Sequence, residues 1–171
     1  MIRLAAPPFL LIPALVAIAA AVPAAAQSER YRECLEQARD QPARAREAAA
    51  QWRALGGGAE AKHCAAIALI GMGAERHAAI LLTEVGTESG ALSAADRAGA
   101  LLLAGDLWLR LERIDLAEQS YDRALTLSPS DPEAMIGLAK AKARPGDYAA
   151  AEALLTRALD VRPLDPQALI L

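Results

Sequence analysis

Two cysteines and two histidines make up all the soft-ligand chemistry in the 171 residues: Cys34, His63, Cys64 and His77. Together they could hold a metal ion. Adjacent side chains such as His63 and Cys64 point about 100° apart on a helix, which is poor geometry for one ion. His63 and His77 also lack a nearby acidic ligand cluster. Ser89, Ser93 and Ser130 read as loop or cap residues, without the Gly-x-Ser-x-Gly elbow of a nucleophile. Gly56-Gly57-Gly58 lacks the Lys-Ser/Thr of a phosphate loop. The carboxylates Asp106, Glu112, Asp115 and Glu118 alternate with Arg110 and Arg113, as on a mixed helical surface. No constellation for catalysis emerges. The expectation is a non-enzyme without cofactor or metal, with His63, Cys64 and His77 as the residues of a metal-binding alternative.

Compartment decides how the cysteines read. An uncharged apolar run extends from Leu4 to Val22 behind Arg3, and Ala24 and Ala26 fit the small-x-small rule of signal peptidase. The pattern predicts a signal peptide over 1–26, cleavage after Ala26 and a periplasmic or secreted chain. Pro7, Pro8 and Pro13 interrupt the run and argue against the alternative of a retained membrane anchor. In an oxidising compartment a lone cysteine pair is most simply one disulfide, Cys34–Cys64. Two free thiols and the metal set remain the alternatives.

Composition constrains the elements that must position these residues. Forty-three residues are alanine and only six are aromatic. Alanine is the best helix former, while β-branched and aromatic residues favour strands, so the fold class expected is all-α. The formal charge of −3 and the absence of a long basic run argue against a nucleic-acid surface. After removal of 1–26, no stable membrane insertion is expected.

Order along the chain is strongest as a repeat. Laying residues 98–131 over 132–165, an offset of 34, brings Ala117 onto Ala151, Arg123 onto Arg157 and Ala124 onto Ala158. Leu125 falls on Leu159, Pro129 on Pro163 and Asp131 on Asp165. A fixed period of this length in a helical composition means stacked helix–turn–helix units. Ser93 with Asp96 reads as a capping box. Asp131-Pro132 and Asp165-Pro166 read as N-cap followed by proline in the first turn. An offset of 39 extends the period backward, with the extra residues in the loop 86–90, and the helix expected there covers 59–72.

These residues resemble the tetratricopeptide repeat family. Numbered from Ala98, the small residues of the family pattern fall on Gly105, Ala117 and Ala124, and the large ones on Leu101, Trp108 and Tyr121. The terminal proline is Pro129. Met135, Ala139, Ala151, Leu155, Ala158 and Pro163 are the counterparts in the next copy, and Lys142 departs from the large apolar residue expected there. The resemblance implies an α-solenoid of stacked antiparallel helix pairs. Its units are a degenerate N-terminal pair at 27–58, repeats at 59–92, 93–131 and 132–165, and a tail or capping-helix start at 166–171. Cys34 and Cys64 fall at the same position of adjacent first helices. Packed helix axes lie about 8–10 Å apart and disulfide Cα atoms prefer less than about 7 Å, so a bridge demands a close approach. Trp52, Trp108, Tyr121 and Tyr148 fall at packing positions.

The same resemblance implies a groove lined by the first helices. Its positions fall on Glu60, His63, Ile67 and Ile70 in one copy, on Leu102, Asp106, Leu109 and Arg110 in the next, and on Glu133, Ile136, Lys140 and Arg144 in the last. An apolar floor with scattered charges suits a peptide or helix of a partner protein. The function expected is an exported scaffold mediating protein–protein interaction. Self-association as a homo-oligomer through an apolar C-terminal edge, Leu169-Ile170-Leu171, is the alternative.

Overall fold

A computed structural model describes residues 24–88 and 90–169. The apolar run of the expected signal peptide, Ser89, Ile170 and Leu171 lie outside the described residues. Among those described there are nine helices and no strand. They are α1 (Ala24–Asp40), α2 (Pro42–Ala54), α3 (Gly58–Gly71), α4 (Glu75–Thr87), α5 (Ala94–Arg110), α6 (Ile114–Leu127), α7 (Pro132–Ala143), α8 (Tyr148–Val161) and the single turn α9 (Pro166–Leu169). Helices α2 to α8 pack chiefly on their neighbours in sequence, while α1 packs on both α2 and α3, which is the all-α solenoid of helix pairs expected. No helix among the described residues is long and apolar enough to cross a membrane.

Local chemistry sets the helix boundaries. The Ser93 hydroxyl accepts from the Asp96 N–H at 3.1 Å, and the Asp96 carboxylate accepts from the Ser93 backbone N–H at 3.3 Å, completing the capping box. Asp131 accepts from the Ala134 N–H at 3.1 Å, with Pro132 opening α7. Asp147 caps α8 in the same way through Ala150. The turn inside each of the last three pairs passes through a left-handed residue at equivalent positions, Gly73, Glu112 and Gly146. Glu112, at φ 55°, takes without glycine's freedom a conformation that side chains disfavour.

Alanine and glycine make the helix contacts close. The expected small residues Gly105, Ala117, Ala124, Ala139, Ala151 and Ala158 are all buried, as are Leu101, Trp108 and Tyr121. Tyr121 is the keystone of the C-terminal half. Its ring lies against Gly105 of α5 and Gly137 of α7, and a Cβ at either would come within 2.6 Å of a ring carbon. One aromatic residue thus joins its own helix pair to the next. Lys142, standing where a large apolar residue was expected, is half-buried and donates to Glu118 at 2.7 Å, so an ion pair takes the place of packing.

Two packing expectations need correction. Tyr148 is 71% exposed instead of buried. Its counterpart one unit earlier, Ile114, packs against the main core, whereas beyond α8 the described residues supply only the short α9. Ile136, expected on the groove surface, is only 3% exposed. It shares an apolar cluster with Met135, Ala158 and Ala168 of α9, which folds back onto the last pair.

Cys34 and Cys64 form a disulfide between α1 and α3, with Cα atoms 5.9 Å apart. The close approach it demands is supplied by Ala38, Ala61, Ala65 and Ala68, all buried in the same cluster. Free thiols and cysteine–metal ligation are thereby set aside.

Candidate protein-binding surface

The first helices α1, α3, α5 and α7 carry the expected groove residues. Ile67, Leu102 and Leu109 are half-buried and pack against the apolar clusters at their inner edges. They form the floor of the surface. Polar positions around them are engaged within the chain. Asp106 is exposed and accepts a 2.6 Å hydrogen bond from the Tyr121 hydroxyl. Arg110 pairs with Glu75 at 3.1 Å and Arg144 with Glu112 at 3.0 Å. Both arginines occupy the same repeat position and reach back to the preceding unit, a regularity that reading each unit alone misses. Lys140 donates to Gln167 of α9 at 3.1 Å. At the margins, Glu133 pairs with Arg162 at 2.6 Å, which holds its carboxyl below the usual range. Burial raises the Glu60 carboxyl.

His63 sits deeper than expected. Its Nδ1 is hydrogen-bonded to the Tyr31 hydroxyl of α1, a partner the sequence reading did not single out. Burial lowers the imidazole pKa, opposed by the charge of Asp96. The same burial, with Asp96 and Glu60, pushes the Tyr31 phenol up to about 12. Burial and the bond to Asp106 likewise hold the Tyr121 phenol well above its usual value.

Side chains of the metal-binding alternative do not come together. Cys64 is in the disulfide, His63 faces α1, and His77 lies on α4 beside Arg46 and Arg53 of α2. Among the described residues no cluster of three or more His, Cys, Asp or Glu is placed to hold a metal ion.

Ion pairs on this surface are mostly half-exposed, and such pairs are individually worth about 0–1 kcal/mol. A partner's charged group can displace them at little cost. The half-buried floor is the larger energetic resource, since apolar burial yields about 25 cal/mol per Å². What the arrangement can do chemically is contact, through an apolar row flanked by exchangeable charges.

The architecture defines a helical-repeat scaffold, a class whose exposed helix rows recognise other proteins. Residues 109–171 match the tetratricopeptide repeat family. That match covers the C-terminal part of the chain, from the end of α5 onward. No curated protein matches it in sequence. Among solved structures it is similar to a MamA RS-1 double mutant (ArsTM), with a TM-score of 0.67 and 18% identity over 85% of this chain and 78% of that one. It is also similar to MamA, residues 41 to the end, from Desulfovibrio magneticus RS-1, with a TM-score of 0.65 and 19% identity over the same shares. At this identity the likeness concerns the fold.

Proposed function

We propose that the chain is a non-catalytic, exported scaffold that holds a protein partner in the bacterial periplasm, seating a peptide or helix along its first helices. The observation that carries this reading is the half-buried row Ile67, Leu102 and Leu109, flanked by Asp106, Arg110, Lys140 and Arg144. The apolar run Leu4–Val22 followed by Ala24 and Ala26 supports export, and the Cys34–Cys64 bridge suits an oxidising compartment. The test is affinity capture from periplasmic extract with the wild type and with the Leu102→Asp, Leu109→Asp double variant. A partner recovered by the wild type and lost by the variant supports the reading. Identical recovery by both refutes the groove.

Self-association is the second reading. It is favoured by the large apolar side chains exposed on the last helices and the turn between them, Tyr148, Val161, Leu164 and Leu169, with Leu164 at 85%. Sedimentation that shows a monomer at high concentration removes it.

A further inference from the structure

The opposite side of the stack holds a second feature, independent of the first-helix groove. Helices α2 and α4 both pack on α3, and between them lies a cavity of about 400 Å³. Leu69, Ile80 and Leu81 line it with apolar surface. Ile80 is 44% exposed, a large aliphatic side chain left in solvent, and it also borders the adjacent depression between α4 and α6. Arg46, Arg53 and His77 also line it. All three are exposed.

Charge at the rim of this cavity comes from two arginines of α2. Lys62, Arg110, Lys142, Arg144 and Arg162 each close onto a carboxylate of the chain. Among the described residues, Arg46, Arg53 and His77 have no ion-pair partner. Helix α2 carries three arginines and one glutamate, in a chain whose overall charge is −3. Arg46 and Arg53 thus place two unpaired guanidiniums at the rim of an apolar cavity.

Spacing sets the shape of the ligand. Arg46 and Arg53 are seven residues apart, which places them on one face of α2, roughly 10 Å apart along its axis. A helix laid along α2 with carboxylates seven positions apart meets both guanidiniums, and apolar residues between them point into the cavity. We propose that this groove is a docking site for a partner protein's amphipathic helix carrying two acidic residues seven positions apart around an apolar core.

The test uses fluorescence anisotropy with the full chain and two labelled alanine-based helical peptides. One has two glutamates seven apart with leucines between, and its twin has lysines in place of the glutamates. Wild type is expected to bind the glutamate peptide and to prefer it to the lysine peptide by about tenfold or more. Arg46→Glu with Arg53→Glu is expected to reverse that preference, and Ile80→Ser to weaken binding severalfold. All three side chains are exposed, and thermal melts of the variants verify that the fold is kept. Equal binding of the two peptides, no binding of either, or an unchanged preference in the charge-reversed variant overturns the proposal. Sedimentation provides a further arm. A wild-type oligomer that dissociates on Arg46→Glu assigns the groove to a second copy of the chain and likewise overturns it.

Discussion

Gly137→Ala tests the keystone role of Tyr121. In an ordinary helix interior this change stabilises by up to about 1 kcal/mol, because alanine loses less backbone freedom on folding. At Gly137 the added methyl would come within 2.6 Å of Tyr121 Cζ. The ring cannot retreat. Gly105 closes its other face, where a Cβ would lie 2.6 Å away, the hydroxyl is tied to Asp106 at 2.6 Å, and the side chain has no solvent exposure. Overpacking of this kind costs about 1–3 kcal/mol. The immobility of the ring puts the cost at the upper end, so the net expected loss is about 2 kcal/mol. For a domain of this size that lowers the melting temperature by roughly 6 °C. The assay is thermal unfolding followed by circular dichroism. Gly99→Ala serves as the control, because Gly99 is exposed on α5 with no atom near its Cβ position, and it should melt a few degrees higher than wild type. In a Gly137→Ala background, Tyr121→Leu should recover part of the loss, giving a coupling of about 1 kcal/mol. Gly137→Ala melting at or above the wild type, as the control does, would refute the reasoning.

Three further predictions follow from the turn, the disulfide and the buried histidine. Glu112→Asn should raise the melting temperature slightly, because asparagine tolerates the left-handed turn and the exposed Arg144 pair it sacrifices is worth little; Glu112→Val should lower it by the equivalent of about 1–2 kcal/mol. Alkylation without reduction should leave Cys34 and Cys64 unmodified by mass spectrometry. Loss of the bridge in Cys34→Ser, Cys64→Ser should cost roughly 3–4 kcal/mol for a loop of this length, read in urea unfolding. Burial lowers the His63 pKa in the folded state, so between that lowered value and the ordinary value of about 6.5 the unfolded chain binds more protons. Stability from this group is therefore present at neutral pH and falls as pH drops below about 6.5. His63→Gln should flatten that part of the stability profile, and equal slopes for both proteins would refute the assignment.

The sequence carried the features that each unit encodes by itself. Ser93 with Asp96, Asp131 with Pro132, and the small residues from Gly105 to Ala158 are local instructions for caps and close packing, and they read correctly. What the sequence did not disclose depends on the neighbouring unit. Gly137 lies off the small positions of the repeat pattern and is required only because Tyr121 of the preceding unit reaches it. Tyr148 was expected to pack as its half-buried counterpart Ile114 does, but beyond α8 the described residues supply only the short α9. Ile136 was expected in the groove, but the short α9 folds over it, and a four-residue helix leaves almost no periodic signal. The pairing of Arg110 and Arg144 with the turns of preceding units follows the same logic, because long side chains cross unit boundaries that an alignment keeps apart. His63 and Tyr31 met for a comparable reason. The disulfide draws α1 and α3 together, and the contact between their side chains follows from that approach.

The two proposed sites would therefore select partners by different physics. On the first-helix side the charges at Arg110, Lys140 and Arg144 already have partners within the chain, so a ligand exchanges one weak pair for another and gains little. Discrimination there must come from how well an apolar segment fits Ile67, Leu102 and Leu109. Between α2 and α4 the balance is reversed. Arg46 and Arg53 lose no internal partner when a carboxylate arrives, so charge contributes its full screened attraction and the cavity around Ile80 adds the apolar share. Because the Debye length shortens from about 10 Å at 0.1 M salt to about 3 Å at 1 M, added salt weakens the second mode while sparing the first. A scaffold with one charge-selective and one shape-selective face can hold two chemically different segments at once without competition between them.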